Sequence, residues 1–243
     1  MITVVIPVWN RAAGVGKAVA SVLAQTFKDF ELIVVDDGST DGSLDAARAA
    51  AGSDSRARFL SLEHSGNPGV VKHAGISAGT GEWVAVVDSD DEILPRALEE
   101  VLKTAAQHPA CGVVFTDRVL VTPDGKVIPA PPMPPYSREG MLEVNLIRHL
   151  AVFRRDLYDR VGGCDPSMTY AETYDLALKL SEITEVFHLQ IALCRYRIGS
   201  PDSVTIRFRK AQTAFANLAR RNARVRRSLP IPADLVAALK EKA

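Results

Sequence analysis

What this chain lacks narrows its function first. It holds only three cysteines, Cys111, Cys164 and Cys194. They are too few and too scattered for a disulfide framework or a zinc site, and each reads as a small buried apolar residue. Net charge is missing as well. Twenty-nine Lys and Arg balance 29 Asp and Glu, so no global field points to nucleic acid. No apolar run approaches ~18 residues, and the opening Met1-Ile-Thr-Val-Val-Ile-Pro carries no basic leader. The chain therefore reads as cytoplasmic, with contact at a membrane surface left open. It shows no internal repeat. Its 243 residues, 47% hydrophobic, suffice for one large domain or two small ones around a sizeable core.

Against that background one stretch stands out, Trp83-Val-Ala-Val-Val-Asp-Ser-Asp-Asp91. A short apolar run that stops in carboxylates suits a strand buried on both faces. Asp88, Ser89, Asp90 and Asp91 then sit at its carboxyl end, where open α/β sheets bind ligands. Crowded carboxylates repel unless a cation joins them, and hard oxygen ligands suit magnesium or manganese. The plainer alternative is a helix start, with these aspartates capping a helix that Pro95 opens.

Ile2–Val8 reads as a first strand, Trp9–Gly14 as a loop, and the spacing of Ala18, Val19, Val22 and Leu23 as a helix to about Gln25. Phe30–Val35 is a second strand, ending in Asp36 and Asp37. A turn and a helix over Ser43–Ala51 follow, then a strand over Ala57–Leu62 and helices over Val70–Ala78 and Pro95–Gln107. This alternation implies βαβ crossovers and a mostly parallel sheet. Beyond Pro109 the pattern changes. Gly112–Val121 reads as a long strand with a hairpin partner at Val127-Ile, and Pro129–Pro135, five prolines in seven residues, as a surface loop that is a lid, a partner contact or a plain linker. His149–Arg154 is a short strand or helix start, Arg155–Val161 and Glu172–Leu180 are helical, and Val186–Tyr196 is one or two strands. Arg207–Arg227 carries eight basic residues and no acidic one. It is either the solvated face of a docked helix or a surface for anionic lipid or a polyanion.

Two strands ending in carboxylates bring Asp36, Asp37, Asp88 and Asp90 near one crevice. Such groups can hold a base edge or a ribose, but a diphosphate beside them needs a divalent metal. Lys72 and Arg11 are at hand to neutralise further phosphate charge. Gly14-Val-Gly16, with Asp36 downstream, imitates a dinucleotide fingerprint. Its first glycine lies about six residues beyond the strand, too far for the phosphate turn, and Val19 fills the third glycine position. A nucleotidyltransferase is a weaker rival still, because its glycine-rich basic phosphate loop is absent.

Pro7-Val-Trp-Asn-Arg, Glu31-Leu-Ile-Val-Val-Asp-Asp-Gly-Ser-Thr-Asp-Gly-Ser, Gly69-Val-Val-Lys-His-Ala-Gly and Val87-Asp-Ser-Asp-Asp-Glu occur in the order seen in family 2 glycosyltransferases. Phe153-Arg-Arg-Asp-Leu-Tyr, Val161-Gly-Gly-Cys-Asp-Pro, Glu172-Thr-Tyr-Asp-Leu and Arg195-Tyr-Arg extend the resemblance over Ile2–Thr205. In spacing the second half resembles bacterial capsule polymerases that build glycosaminoglycan-type chains. The resemblance implies a GT-A-like α/β fold. Residues 1–110 form a nucleotide-sugar-binding half, 111–205 an acceptor-binding half, and 206–243 a basic helical tail. It further implies an inverting hexosyltransferase with a DXD motif and a manganese or magnesium cofactor. A UDP-sugar would be the donor and a glycan or lipid-linked molecule the acceptor, in polysaccharide biosynthesis. Pro7 and Trp9 would line the nucleotide pocket with Arg11, Asp36 and Ser89. Asp37 would meet the base, Lys72 the base and phosphates, Asp88 the ribose, and Asp90 the metal. Trp9 stacks on the base or packs under its loop.

Two positions depart from that pattern. Thr173 stands where the family carries its base aspartate, and threonine is no base near neutral pH. Glu172 or Asp175 would then have to serve, unless both are simply carboxylates at a helix N-terminus. A catalytically weak nucleotide-sugar-binding module of a larger assembly is the alternative. The direction of Glu172, into the crevice or out to solvent, separates the two. The usual metal histidine after the Tyr-Arg strand is also missing, and Ser200 and Asp202 stand there instead. His149 and His73 lie closest to the expected site segments, though a lone histidine is commonly just a satisfied polar residue. The tail leaves peripheral contact with the inner face of the membrane open, and a homodimer is a further candidate assembly.

Overall fold

The computed structural model describes residues 1–199 and 204–240. In chain order the strands are β1 (Ile2–Val8), β2 (Phe30–Asp36), β3 (Ala57–Ser61), β4 (Trp83–Val86), β5 (Glu92–Ile93), β6 (Cys111–Val121), β7 (Val127–Pro129), β8 (Ala151–Arg154) and β9 (Glu185–Arg197). The helices are α1 (Ala12–Leu23), α2 (Ser43–Ala51), α3 (Pro68–Ala78), α4 (Ala97–Gln107), α5 (Arg155–Arg160), α6 (Glu172–Ile183), α7 (Val204–Arg207), α8 (Arg209–Arg226) and α9 (Ala233–Lys240). The sheet runs β3-β2-β1-β4-β8-β6-β9-β5, with β7 on β6. Its first four strands are parallel. β8 enters antiparallel to both β4 and β6, while β9 runs parallel to β6.

Both faces of the inner parallel strands β1, β2 and β4 are covered, which is why they are largely apolar, whereas the edge strand β3 keeps Arg58 and Ser61. Along β1, Ile2, Val4, Ile6 and Val8 point to the face holding Val15, Val19 and Leu98. Val5 points to the other, with Val71, Ile76 and Leu178. The period-two alternation of a strand thus feeds two cores at once. α3 lies so close to the sheet that a Cβ on Gly75 would stand 2.8 Å from Val35 Cγ2. At the amino end of the sheet, Arg155 donates to the Gly81 and Ile76 carbonyls at 2.6 Å each and to Thr3 Oγ1 at 2.8 Å. Thr3 in turn donates to Glu31. Arg155 is therefore a clamp at the end opposite the strand-end aspartates.

Most of the expected elements stand where the sequence places them, with some corrections. α1 begins at Ala12, inside the segment expected to be a loop. β9 is a single strand whose pairing with β6 shifts register around Thr116–Arg118. The helix-start alternative for Asp88–Asp91 fails: α4 begins at Ala97, its N-cap is Arg96 without a side-chain cap, and β5 intervenes. The basic tail is docked on the domain. Arg220 and Arg224 both reach Glu143 at 2.8 Å, while Arg226 and Arg227 reach Glu182 at 2.8 and 3.3 Å. Among the described residues no helix is long and apolar enough to cross a membrane.

Candidate active site

β1 lies between β2 and β4, in register Val5↔Val86 on one side and Val8↔Asp36 on the other. The carboxyl ends of three parallel strands therefore open side by side. At the β2 end Asp37 is buried, and its carboxylate accepts the Ser65 and Gly66 amides at 2.8 and 3.2 Å. His64 Nδ1 lies 2.9 Å from the same carboxylate. Gly38, at φ +67°, lets this turn approach, because a Cβ there would stand 2.8 Å from the His64 nitrogen. Trp9 stacks on His64 at 4.6 Å with 14° between the rings, so the indole is neither buried under its loop nor free of partners. Asp36 accepts the Ser39 amide through Oδ2, while its Oδ1 is buried with no hydrogen-bond partner. Pro7 is half-buried on β1 opposite Val35, and the Arg11 amide donates to Ser43 Oγ at 2.6 Å.

At the β4 end Asp88, Asp91 and His149 offer ligand atoms that all lie within 4.8 Å of one another. The strand pairing explains the meeting. β8 opposes β4 in register Val84↔Phe153 and Ala85↔Val152, so His149, just before β8, returns beside Asp88, just after β4. Asp91 Oδ1 accepts the Arg197 amide at 3.0 Å. Asp91 Oδ2 is buried without a hydrogen bond, 3.4 Å from His149 Nδ1. Burial, reinforced by the Asp88 and Asp90 charges, pushes the Asp91 carboxyl up to about 9. Burial also pushes His149 down to about 4, aided by the Arg118, Arg148 and Lys72 charges and opposed by Asp88. A neutral imidazole, an orphaned carboxylate oxygen and two repelling acids make a donor set that a hard divalent cation would satisfy.

Asp90 stands beside this set rather than in it. Its carboxyl is raised by burial and by Asp88, with Arg11 and Arg197 opposing. Ser89 is buried, and its carbonyl would lie 3.3 Å from a Cβ on Gly14, so α1 begins hard against this turn.

Lys72, on α3, joins the two halves. Its ammonium lies 2.7 Å from Glu172 Oε1, 3.1 Å from Thr173 Oγ1 and 4.0 Å from Asp88 Oδ1. Burial opposes its charge, yet Glu172 and Asp88 hold it above the ordinary lysine value. The N-cap of α3 fixes this contact: Asn67 Oδ1 accepts the Gly69 amide at 3.0 Å, and its Nδ2 donates to the Pro166 carbonyl at 2.7 Å. Thr173 Oγ1 also donates to Glu172 Oε1 at 3.2 Å. Among the described residues Glu172 Oε2 accepts no hydrogen bond. Glu172 is thus buried against Lys72 and does not point out to solvent. Asp175, three residues on, is buried 2.6 Å from Lys179 and 3.9 Å from Arg226, bracing α6 against α8.

The structure brings Asp88, Lys72 and Glu172 together and leaves Asp175 apart. Asp91 and His149 join Asp88 in this group, although the sequence alone pointed to Asp90 for the metal. Asp91 was visible in its acidic string, whereas His149 needed the antiparallel placement of β8. His73 is a supporting residue, its Nδ1 2.8 Å from the Tyr158 hydroxyl. Ser200 and Asp202 lie outside the described residues.

The sequence profile of Glycosyl transferase family 2 matches residues 3–162. Chondroitin synthase of Pasteurella multocida (strain Pm70) is 30% identical over 208 residues, 85% of this chain and 21% of that protein. The chain thus spans about a fifth of the length of this relative and of two others of similar identity. Among solved structures, S. aureus TarS 1-349 in complex with UDP-GlcNAc superposes with a TM-score of 0.74 at 18% identity, over 99% of this chain and 70% of that one. Mannosyltransferase PcManGT from Pyrobaculum calidifontis, in complex with GDP-Man and Mn2+, gives 0.72 at 19% identity, over 98% and 68%. These likenesses carry the fold, and with a profile that covers most of its length the chain belongs to glycosyl transferase family 2.

Proposed function

We propose that this chain transfers a sugar from a nucleotide-sugar, read as a UDP-sugar, to a hydroxyl of a glycan or lipid-linked acceptor, with inversion and with a divalent metal. The observation that carries this reading is Lys72 bridging Asp88 on the donor side and the inward-facing Glu172. Pro7, Trp9, Asp36 and Asp37 would line the base pocket, and Arg11 and Ser89 its phosphate side. Asp88 would meet the ribose as well as the cation. Asp88, Asp91 and His149 would hold the metal, with Asp90 as the further ligand that the family resemblance implies. Such a cation, when bound, supplies Lewis-acid stabilisation of the departing nucleoside diphosphate.

Glu172 would take the acceptor proton on Oε2, because Lys72 and Thr173 occupy Oε1. As the acceptor oxygen bonds to the anomeric carbon, the bond from that carbon to the diphosphate oxygen breaks. One base on the face opposite the leaving group accords with inversion. Thr173 then orients the base instead of replacing it. The complexes of the structural neighbours with UDP-GlcNAc and with GDP-Man and Mn2+ support a nucleotide-sugar donor.

Calorimetric titration of UDP, GDP and NAD, each with and without manganese, tests the reading. Manganese-dependent binding of UDP above GDP and NAD is the expected result. Tight NAD binding, or no nucleotide binding, overturns it. Threonine at 173 favours a second reading, a binding module with little turnover. Transfer from UDP-sugars in the presence of candidate acceptors separates that reading from the first.

A further inference from the structure

We infer that Tyr170, backed by Phe208, forms a platform for the second sugar ring of a glycan acceptor. The inference rests on the transferase reading above. The two rings stack at 4.8 Å with 18° between them, and Phe215 meets Tyr170 at 5.9 Å and 62°. Tyr170 stands two residues ahead of Glu172, which keeps their Cα atoms within about 7 Å of each other. Its turn is fixed by hydrogen bonds. The Met168 amide donates to the Asp165 carbonyl at 3.0 Å, and the Ala171 amide to the Met168 carbonyl at 2.9 Å. Asn67, the N-cap of α3, holds the same segment through the Pro166 carbonyl. Phe208 is the N-cap of α8.

Packing does not account for this pair. The other Phe–Tyr pairs, Phe115–Tyr136 and Phe153–Tyr158, belong to the core that holds Val5 and Leu178, and Phe215 leans on that core too. Tyr170 and Phe208 lie outside both cores and are only half-buried. The Tyr158 hydroxyl meets His73 at 2.8 Å, and the Tyr174 hydroxyl donates to the Met141 carbonyl at 2.5 Å. Among the described residues the Tyr170 hydroxyl has no hydrogen-bond partner. Rings left at a surface in a fixed orientation offer apolar area at little entropic cost.

A glycan fits both features. A pyranose has a C–H face for the ring and a rim of hydroxyls for the phenol. An alkyl chain would leave the hydroxyl unused, and a phosphate would leave the rings unused. Phe208 also carries the Arg207 guanidinium 5.5 Å from its ring centre, so Tyr170 is the ring that meets the sugar. Glu172 is buried whereas the platform is not. The terminal sugar would therefore reach in to Glu172 while the ring behind it rests on Tyr170.

The test uses the whole chain, first titrated with UDP and manganese, and then, at saturating UDP, with three probes. These are N-acetylglucosamine, its tetramer, and an oligosaccharide of alternating glucuronate and N-acetylglucosamine. At least one oligosaccharide is expected to bind roughly 10-fold tighter than the monosaccharide. Tyr170→Ala and Phe208→Ala should each remove that advantage, and Tyr170→Phe, which keeps the ring, should retain most of it. A purely structural contact between the α6 turn and α8 would weaken monosaccharide and oligosaccharide alike. The better-binding oligosaccharide should also raise the melting temperature of wild-type protein and leave that of the alanine variants unmoved. If either alanine variant fails to melt cooperatively, Tyr170→Leu and Phe208→Leu replace them, keeping apolar volume and losing the flat face. Failure of both oligosaccharides to bind wild-type protein, or an advantage over the monosaccharide that survives in the variants, overturns the platform. Loss of UDP affinity in the variants overturns it too, by giving the rings to the donor. The UDP and manganese titration of wild-type protein reports separately on the transferase reading.

Discussion

In residues 1–110 the strands β1, β2 and β4 run parallel, so every carboxyl end opens on one side, and each end carries aspartates or the loop that faces them. In residues 111–240 the strands change direction, and that half brings in an imidazole and a glutamate. The first half gathers aspartates at those ends, with Lys72 and Arg11 as its own cations beside them. The second supplies one buried carboxylate on α6, already engaged by Lys72, and His149, brought back by the antiparallel β8. On the function proposed above, such a site would divide its chemistry along the chain: the donor and two of the three cation ligands on the parallel part, the base, the acceptor and His149 on the mixed part.

The sharpest way to break that division is to compare the two carboxylates of α6. Glu172→Gln should lower turnover by ~10²–10⁴-fold, the usual contribution of a general base, while leaving manganese-dependent UDP binding in place. Asp175→Asn should instead lower the melting temperature, because Asp175 lies under Lys179 and Arg226. Equal losses of turnover in both variants would move the base to Asp175 or remove the distinction.

A smaller effect probes the cation. Asp91→Asn and His149→Ala should each weaken manganese binding by about 10-fold or more, the range in which metal sites respond to lost partners. Asp90→Ala belongs in the same series. If it alone abolishes manganese-dependent UDP binding, with Asp91→Asn and His149→Ala silent, the cation belongs to Asp90 and the other two only support the turn.

Packing differs between the halves as chemistry does. A Cβ on Gly81 would meet backbone, standing 2.7 Å from the Ile2 carbonyl carbon as well as against the Thr3 amide. A Cβ on Gly112 would meet side-chain ends, Leu157 Cδ1 and Thr184 Oγ1. Gly81→Ala should therefore cost about 1–3 kcal/mol or more, and Gly112→Ala less, since side chains turn aside more readily than strands. In a chain of this size each kcal/mol lowers the melting temperature by roughly 2–4 °C.

The same contrast explains what could be read from the chain in advance. Doubly covered parallel strands are continuous apolar runs, so β1, β2 and β4 and the aspartates that end them were legible. Lys72 and Glu172 were legible as positions, though not as a 2.7 Å pair. β5 was not, because Glu92–Ile93 is two residues long and exists only by pairing with β9. The start of α1 at Ala12 was hidden because Ala12, Ala13 and Gly14 give no amphipathic signal. His149 was hidden for a deeper reason. Its role depends on the direction of a strand inserted between β4 and β6, and hydrophobic periodicity is the same for either direction.

The smallest expected effect lies where the first half carries charge away from the site. Asp54, in the turn before β3, receives Arg56 Nε at 3.0 Å and the Arg56 amide at 3.0 Å. The Arg56 side-chain hydrogen bonds, followed by its amide, hold the Asp54 carboxyl down at about 2. A carboxyl depressed on folding adds stability above its unfolded value of about 4, and that stability disappears as the pH falls through 2. Solvent reaches this pair, so Asp54→Asn should cost under ~1 kcal/mol at neutral pH. Chemical denaturation of wild type and variant between pH 7 and pH 2 should show the gap closing over that window. A gap that stays constant would mean that Asp54 acts through turn geometry, in which an asparagine serves poorly at any pH.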